Sequence, residues 1–198
     1  MGAFARVFLA RLRALPRGLR VLIEFIANQA GWFACILLAA GGHAVWALLA
    51  AVPVCLLHLG LSSRPRAVSR LILGATVAGW ILDSLVASTG LVVYQPAAVA
   101  LGPLALAPAW IAGLWAMFAT LLECPLAWLA RRRLLALGLG AVGGPLAWYG
   151  GVRLGAGVVN GVPGYGLIAL EWAVATPVLV AWAERVRGGA AKGAVSHG

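Results

Sequence analysis

The chain has 198 residues, of which 63% are apolar and only 10% charged, and it carries a formal charge of +10. Ordinary soluble domains are about 25% charged, and so few polar groups cannot cover a soluble surface of this size, so the composition excludes a soluble globular protein and places the chain in a lipid bilayer. Nine Trp, five Phe and three Tyr exclude a disordered polar chain as well.

In chain order, residues 1–20 form a basic N-terminal segment. Phe4, Phe8, Leu12 and Leu15 share one helical face, with Arg6, Arg13, Arg17 and Arg20 on the opposite side. This pattern predicts an interfacial amphipathic helix on anionic lipid that ends near Pro16; a basic tail without fixed structure is the alternative. A spanning helix needs roughly 20 apolar residues at about 1.5 Å rise each. Six windows satisfy that length, at 21–40, 44–61, 68–88, 106–130, 134–154 and 166–184. They predict an all-α bundle of six transmembrane helices over residues 21–187. The fourth window is the longest and is expected to tilt or break near Pro125. Residues 91–105 are apolar but interrupted by Pro96, Gly102 and Pro103, which predicts a loop, either re-entrant or lying at the interface. In the fifth window Gly140 with Gly144, and Gly151 with Gly155, have the spacing of close helix packing, which predicts a helix near the bundle centre, kinked at Pro145. The Gly- and Ala-rich segment 188–198 is expected to be disordered.

The charges fall between these windows. Fourteen of the fifteen Lys and Arg residues lie before the first window, between the second and third, between the fourth and fifth, or after the sixth; Arg153 alone falls on the other side. Basic residues are retained on the cytoplasmic side of short connections, so six helices with both termini cytoplasmic is the arrangement of least conflict. The +10 charge is then topology, and no nucleic-acid partner is expected.

Cys35, Cys55 and Cys124 are odd in number and form no C-x-x-C pair, and His43, His58 and His197 are scattered singly. They predict no metal site, and no phosphate-loop, dinucleotide or nucleophile-elbow motif implies a cofactor or a covalent mechanism.

Four of the five acids lie inside the predicted helices. A mid-membrane carboxylate costs about 2.5–3.5 kcal/mol on insertion scales, and such groups face the bundle interior, a partner or a water-filled cavity. Counting depth along each helix yields two layers. Glu24, His58 and Glu123 fall in the inner half, with Asn28 one turn deeper than Glu24 on the same face; Asp83 and Glu171 fall in the outer half, with Arg153 at its end and His43 at the outer mouth. One reading is a pair of polar sites that carry protons or hold a polar ligand. In the other, Arg153 neutralises Asp83 or Glu171, and Glu24 snorkels to the interface. Trp46, Trp128, Trp148 and Trp182 are expected in the interfacial belts, whereas Trp32, Trp80, Trp115 and Trp172 lie deeper, where they either pack their ring N–H groups against the acids or line a hydrophobic cavity.

With these residues in view, the chain resembles a bacterial family of small multi-pass membrane proteins, domain of unknown function 2878. The resemblance runs over nearly the whole chain. It is carried by Asn28-Gln29-Ala30-Gly31-Trp32-Phe33, the Gly79 to Asp83 region, Pro108-Ala109-Trp110, Leu114-Trp115-Ala116-Met117-Phe118-Ala119, Gly143-Gly144-Pro145 with Trp148 and Tyr149, Gly155-Ala156, and Trp172 with Pro177. It implies an inner-membrane protein inclined towards envelope lipids, and it assigns no reaction to any position.

Three functions remain open: a small transporter or lipid-handling protein whose intramembrane carboxylates bind a proton or a head group; an accessory subunit whose buried polar residues pair with another membrane protein; and a membrane enzyme using Asp83, Glu171 and His43 on a lipid. The expected partners are the bilayer, a hydrophobic or lipid ligand, and a second copy or a membrane protein.

Overall fold

The computed structural model describes residues 3–195, with side chains from Val7 to Gly188. Proline sets most of the breaks between helices. Helix α1 (Ala3–Ala14) stops before Pro16, whose extended backbone (φ −51°, ψ 143°) caps α2 (Arg17–Ala40). The next pass is divided into α3 (Ala44–Leu49) and α4 (Ala51–Leu61). Pro53 has no N–H to offer the Leu49 carbonyl four residues back, and the interruption falls at Ala50 between them. Helix α5 (Pro65–Ser88) starts with proline in its first turn, where a missing N–H costs nothing.

Helix α6 (Ala109–Glu123) stops two residues before Pro125; Cys124 leaves the helical region (φ −129°, ψ −77°), and a 3-10 turn over Ala127–Leu129 follows. Its fifteen residues rise about 22 Å, short of the roughly 30 Å of a hydrocarbon core. Helices α7 (Arg133–Arg153) and α8 (Gly161–Val195) complete the bundle. Among the described residues, five stretches are long and apolar enough to cross a membrane: α2, α3 with α4, α5, α7, and α8 to Gly188. Helix α8 continues to Val195, into the segment expected to be disordered; residues 196–198 lie outside the described residues.

Residues 91–105 are not a bare loop. Strand β1 (Val92–Tyr94) pairs antiparallel with β4 (Gly157–Val159), and β2 (Val99–Leu101) pairs with β3 (Leu104–Leu106), so the all-α expectation needs these two short ladders added. The last turns of α5 satisfy the backbone beyond them. The Ser88 and Ser84 hydroxyls accept from the N–H groups of Ala105 (2.9 Å) and Ala107 (3.0 Å), and the Trp80 ring N–H donates to the Ala107 carbonyl at 2.7 Å. Non-helical backbone needs such partners wherever water is scarce.

Side-chain hydrogen bonds identify the two ends of the bundle. At one end Arg64 donates to the carbonyls of Val186 and Arg187, Arg187 donates to the Leu122 carbonyl, Arg133 pairs with Glu184, and the Arg131 backbone N–H also donates to Glu184. This joins the α4–α5 and α6–α7 connections to the end of α8. At the other end Asn160 donates to the Gly90 carbonyl, and Gly155 approaches Ala40. Helix α1 docks at the arginine-rich end, where Leu9 covers Gly60 and Arg13 donates to the Gly60 carbonyl, while Phe8 of its expected apolar face stays half exposed. Phe4 and Arg6 lie outside the described side chains.

Helix α6 occupies the centre, against α2, α3, α4, α5 and α8, with Trp110, Ile111, Trp115, Met117 and Leu122 almost fully buried. The expectation of a central fifth helix is corrected here: α7 packs mainly along α8, and its far side exposes Leu134, Val142 and Leu146. Its small residues do serve close packing, since side chains at Gly140 and Gly144 would run into the backbone and ring of Trp172 on α8. Exposed Leu, Val, Ile and Phe side chains continue around α2, α5, α7 and α8. Such a belt suits a lipid bilayer and would be insoluble in water.

Candidate functional site

Four turns of α6 present one face to the space between α2 and α7. Helix α2 packs on α6, α6 on α8 and α8 on α7, and between α2 and α7, which approach each other where Trp32 and Ile36 face Gly150 and Gly151, there remains a cavity of about 450 Å³. That volume is in the range of small-molecule pockets. Trp32 and Phe33 line it from α2, Met117 and Phe118 from α6, Gly143 and Ala147 from α7, and Trp172 and Thr176 from α8. Gly143 and Ala147 are themselves exposed, so the cavity is a groove open along the side of the bundle. Among its lining residues, the ring N–H groups of Trp110 and Trp172 and the Thr176 hydroxyl are buried without a protein partner. Buried polar groups are ordinarily paired, so three orphans around one apolar groove are unusual.

Asp83 lies behind this groove. One carboxyl oxygen accepts from the Tyr94 hydroxyl at 2.7 Å and the other from the Trp115 ring N–H at 2.6 Å. Gly79, one turn earlier on the same face of α5, leaves the room that the Trp115 indole fills. Trp115 in turn stacks on Trp172, with centroids 4.6 Å apart and planes 10° from parallel, and Phe118 meets both rings edge-on. The aromatic stack therefore separates the groove from Asp83. Glu171 is also buried, with both carboxyl oxygens unpartnered, close enough to Asp83 and Tyr94 for their charges to interact.

Arg153 does not neutralise either acid. It is exposed at the end of α7 and forms none of the ion pairs among the described residues. Trp80 bonds to backbone rather than to an acid.

The inner polar residues converge differently. Glu24 pairs with His58 Nδ1 and does not snorkel, its side chain being only 10% exposed. Glu123 pairs with Arg187 at 3.1 Å. Glu24, His58 and Glu123 line one pocket of about 190 Å³, together with Arg17, Arg20 and Arg64. Asn28, a turn deeper, instead ties α2 to α6, donating to the Met117 carbonyl at 2.9 Å and to the Thr120 hydroxyl at 3.3 Å. Of the four tryptophans expected at interfaces, Trp46 and Trp128 are exposed, the latter beneath the Arg132 guanidinium; Trp148 packs on Tyr94 and Trp182 on Gly74.

The residues not singled out by sequence are Tyr94, Trp110, Thr176 and Arg187. Tyr94 stood in a stretch without helical periodicity, and Arg187 was one basic residue among many at its end; neither carries a local signal of its partner. Trp110 and Thr176 sit in ordinary helical positions, where only the packing of neighbouring helices leaves their polar atoms alone.

Neither the curated proteins nor the solved structures contain a match to this chain. A family description does match, under the words "Protein of unknown function (DUF2878)", and it covers residues 21–178. With four-fifths of the sequence inside that match, the membrane-embedded bundle described above belongs to the DUF2878 family.

Proposed function

We propose that the protein handles lipids in a bacterial inner membrane, crossing it six times with both termini cytoplasmic and admitting an apolar chain to the groove between α2 and α7. The observation that carries this reading is the groove itself: about 450 Å³ of mostly apolar space, open on the side of the bundle among exposed aliphatic side chains. A water-soluble substrate would have to cross the surrounding belt of exposed aliphatic side chains to reach it, whereas an acyl or isoprenoid chain is already dissolved in the same medium. The unpaired ring N–H groups of Trp110 and Trp172 and the Thr176 hydroxyl suit one or two oxygen atoms on an otherwise apolar ligand. The orientation follows from the arginines, which gather at the end that holds the α4–α5 and α6–α7 connections.

The test is to fill the groove without disturbing its walls. A side chain at Gly143 meets nothing within 4 Å, so Gly143→Leu, alone or with Ala147→Phe, occupies the space and leaves the α7–α8 contact intact. Lipids that co-purify with the full chain in mild detergent are identified by mass spectrometry. The variants are expected to retain much less lipid than wild type at the same folded yield; equal retention would remove the groove as the binding site.

A further inference from the structure

The pocket at the arginine-rich end has a composition that the groove does not explain. Its two carboxylates are already provided for: Glu24 is paired with His58 and Glu123 with Arg187. Arg17, Arg20 and Arg64, with Arg187 on Glu123, outnumber the two carboxylates around about 190 Å³ of space. Arg64 spends one nitrogen, Nη1, on the Val186 and Arg187 carbonyls, Arg20 keeps a buried Nε without a partner, and no ion pair among the described residues involves Arg17. His58, only 6% exposed, lines the same pocket and uses Nδ1 on Glu24, while its Nε2 is buried and unpartnered.

Backbone charge points the same way. Arg17 opens α2, and Ser62, Ser63 and Arg64 immediately precede α5, so the first turns of two 24-residue helices end at this pocket. The unsatisfied N–H groups in the first turn of α2 carry partial positive charge and favour anions; at α5, Pro65 has no N–H, and Ala67 and Val68 already donate to the Arg64 carbonyl.

We propose that this pocket binds a phosphate group, with Arg17, Arg20 and Arg64 taking its charge and the second ring nitrogen of His58 donating to one oxygen. Planar guanidinium groups suit tetrahedral oxyanions, and a histidine held between a carboxylate and a phosphate donates from both ring nitrogens. The phosphate is either free or the head group of a lipid. The lipid form rests on the groove reading above, since Glu24 in the pocket and Asn28 on the groove are one helical turn apart on α2. The free form stands without it.

The experiment uses the full chain in detergent, with two arms. In the first, unfolding temperature is followed on adding inorganic phosphate, against chloride at equal ionic strength. In the second, retention of phosphatidic acid is compared with that of diacylglycerol by native mass spectrometry. Phosphate is expected to raise the unfolding temperature of wild type, and the increase should vanish in Arg17→Gln/Arg20→Gln and in Ser63→Glu. Ser63 makes no side-chain hydrogen bond that folding would lose, and Arg17→Lys/Arg20→Lys should keep most of the increase. Phosphatidic acid should be preferred by about tenfold, and the same substitutions should remove the preference while leaving diacylglycerol retained.

A phosphate response in wild type without lipid preference would identify the free ion as the ligand. No response to phosphate together with no lipid preference would overturn the proposal, as would either effect persisting unchanged in Ser63→Glu. Gly143→Leu separates this from the groove: it should lower retention of both lipids and spare the response to inorganic phosphate. Lipid retention unchanged in Gly143→Leu would sink the groove reading and leave the phosphate pocket standing.

Discussion

Adding one methyl group to α7 should have opposite effects at positions a few residues apart. At Gly140 a Cβ would fall on the Trp172 carbonyl of α8 and close to the Thr176 hydroxyl; at Gly144 it would fall on the Trp172 ring. Neither neighbour has room to retreat, because the carbonyl belongs to a helix and the indole is stacked on Trp115. At Gly138 and Gly143 on the same helix, nothing lies within 4 Å. Alanine is the better helix residue by roughly 0.5–1 kcal/mol, so Gly138→Ala and Gly143→Ala should be mildly stabilising. Overpacking costs about 1–3 kcal/mol, so Gly140→Ala and Gly144→Ala should be destabilising, Gly140→Ala the more so because backbone is the obstacle. The spread between the two pairs is then roughly 1.5–4 kcal/mol, a difference readily seen in unfolding temperature. All four variants would be purified in one detergent and followed by intrinsic fluorescence. If Gly140→Ala were as stable as Gly143→Ala, α7 and α8 would not be in close contact, and the wall of the groove would have to be redrawn.

Two further substitutions test the outer acid layer. Asp83→Asn keeps one acceptor but turns an amide N–H₂ towards either Tyr94 or Trp115; a loss of about 1–3 kcal/mol and a change in Trp emission are expected, and an unaltered unfolding temperature would deny Asp83 its place between those donors. Arg153→Gln should change stability by less than about 0.5 kcal/mol, because the guanidinium is exposed and forms no ion pair; a loss as large as that of Asp83→Asn would show that it does neutralise a buried acid.

The helical bundle and most of its long apolar helices were legible in the sequence because one physical quantity, the thickness of hydrocarbon, acts on each segment separately. Apolar length places α2, α5 and α7 within a few residues without reference to any neighbour, whereas α8 runs past both ends of its window, from Gly161 to Val195. Proline chemistry is equally local, which is why the break near Pro125 was visible in advance. Residues 91–108 were illegible for the opposite reason. Each ladder there depends on pairing across the chain, Val92 with Val159 for instance, and on Ser84 and Ser88 supplying acceptors from a helix. The small-residue spacing on α7 signalled close packing but not with whom. A helix can meet one neighbour tightly and turn its other side to lipid, as α7 does, and the spacing is the same as for a central helix.

The acids show the same division more sharply. Insertion cost marks Glu24, Asp83, Glu123 and Glu171 as residues that need a partner, because that cost depends on depth alone. How each is accommodated depends on what lies alongside. Glu24 and Glu123 are matched by side chains from other elements, His58 and Arg187, and three further arginines line the same pocket. Asp83 is matched by neutral donors, Tyr94 and Trp115, which satisfy its lone pairs without cancelling its charge. An unpartnered Glu171 beside it therefore has no cation to share, and Arg153, which charge counting nominates for that task, stays at the surface. A depth count is blind to the difference between a carboxylate neutralised by a cation and one merely hydrogen-bonded. That difference leaves several arginines around the pocket at one end of the bundle and, towards the other, buried carboxylates with no cation paired to them among the described residues.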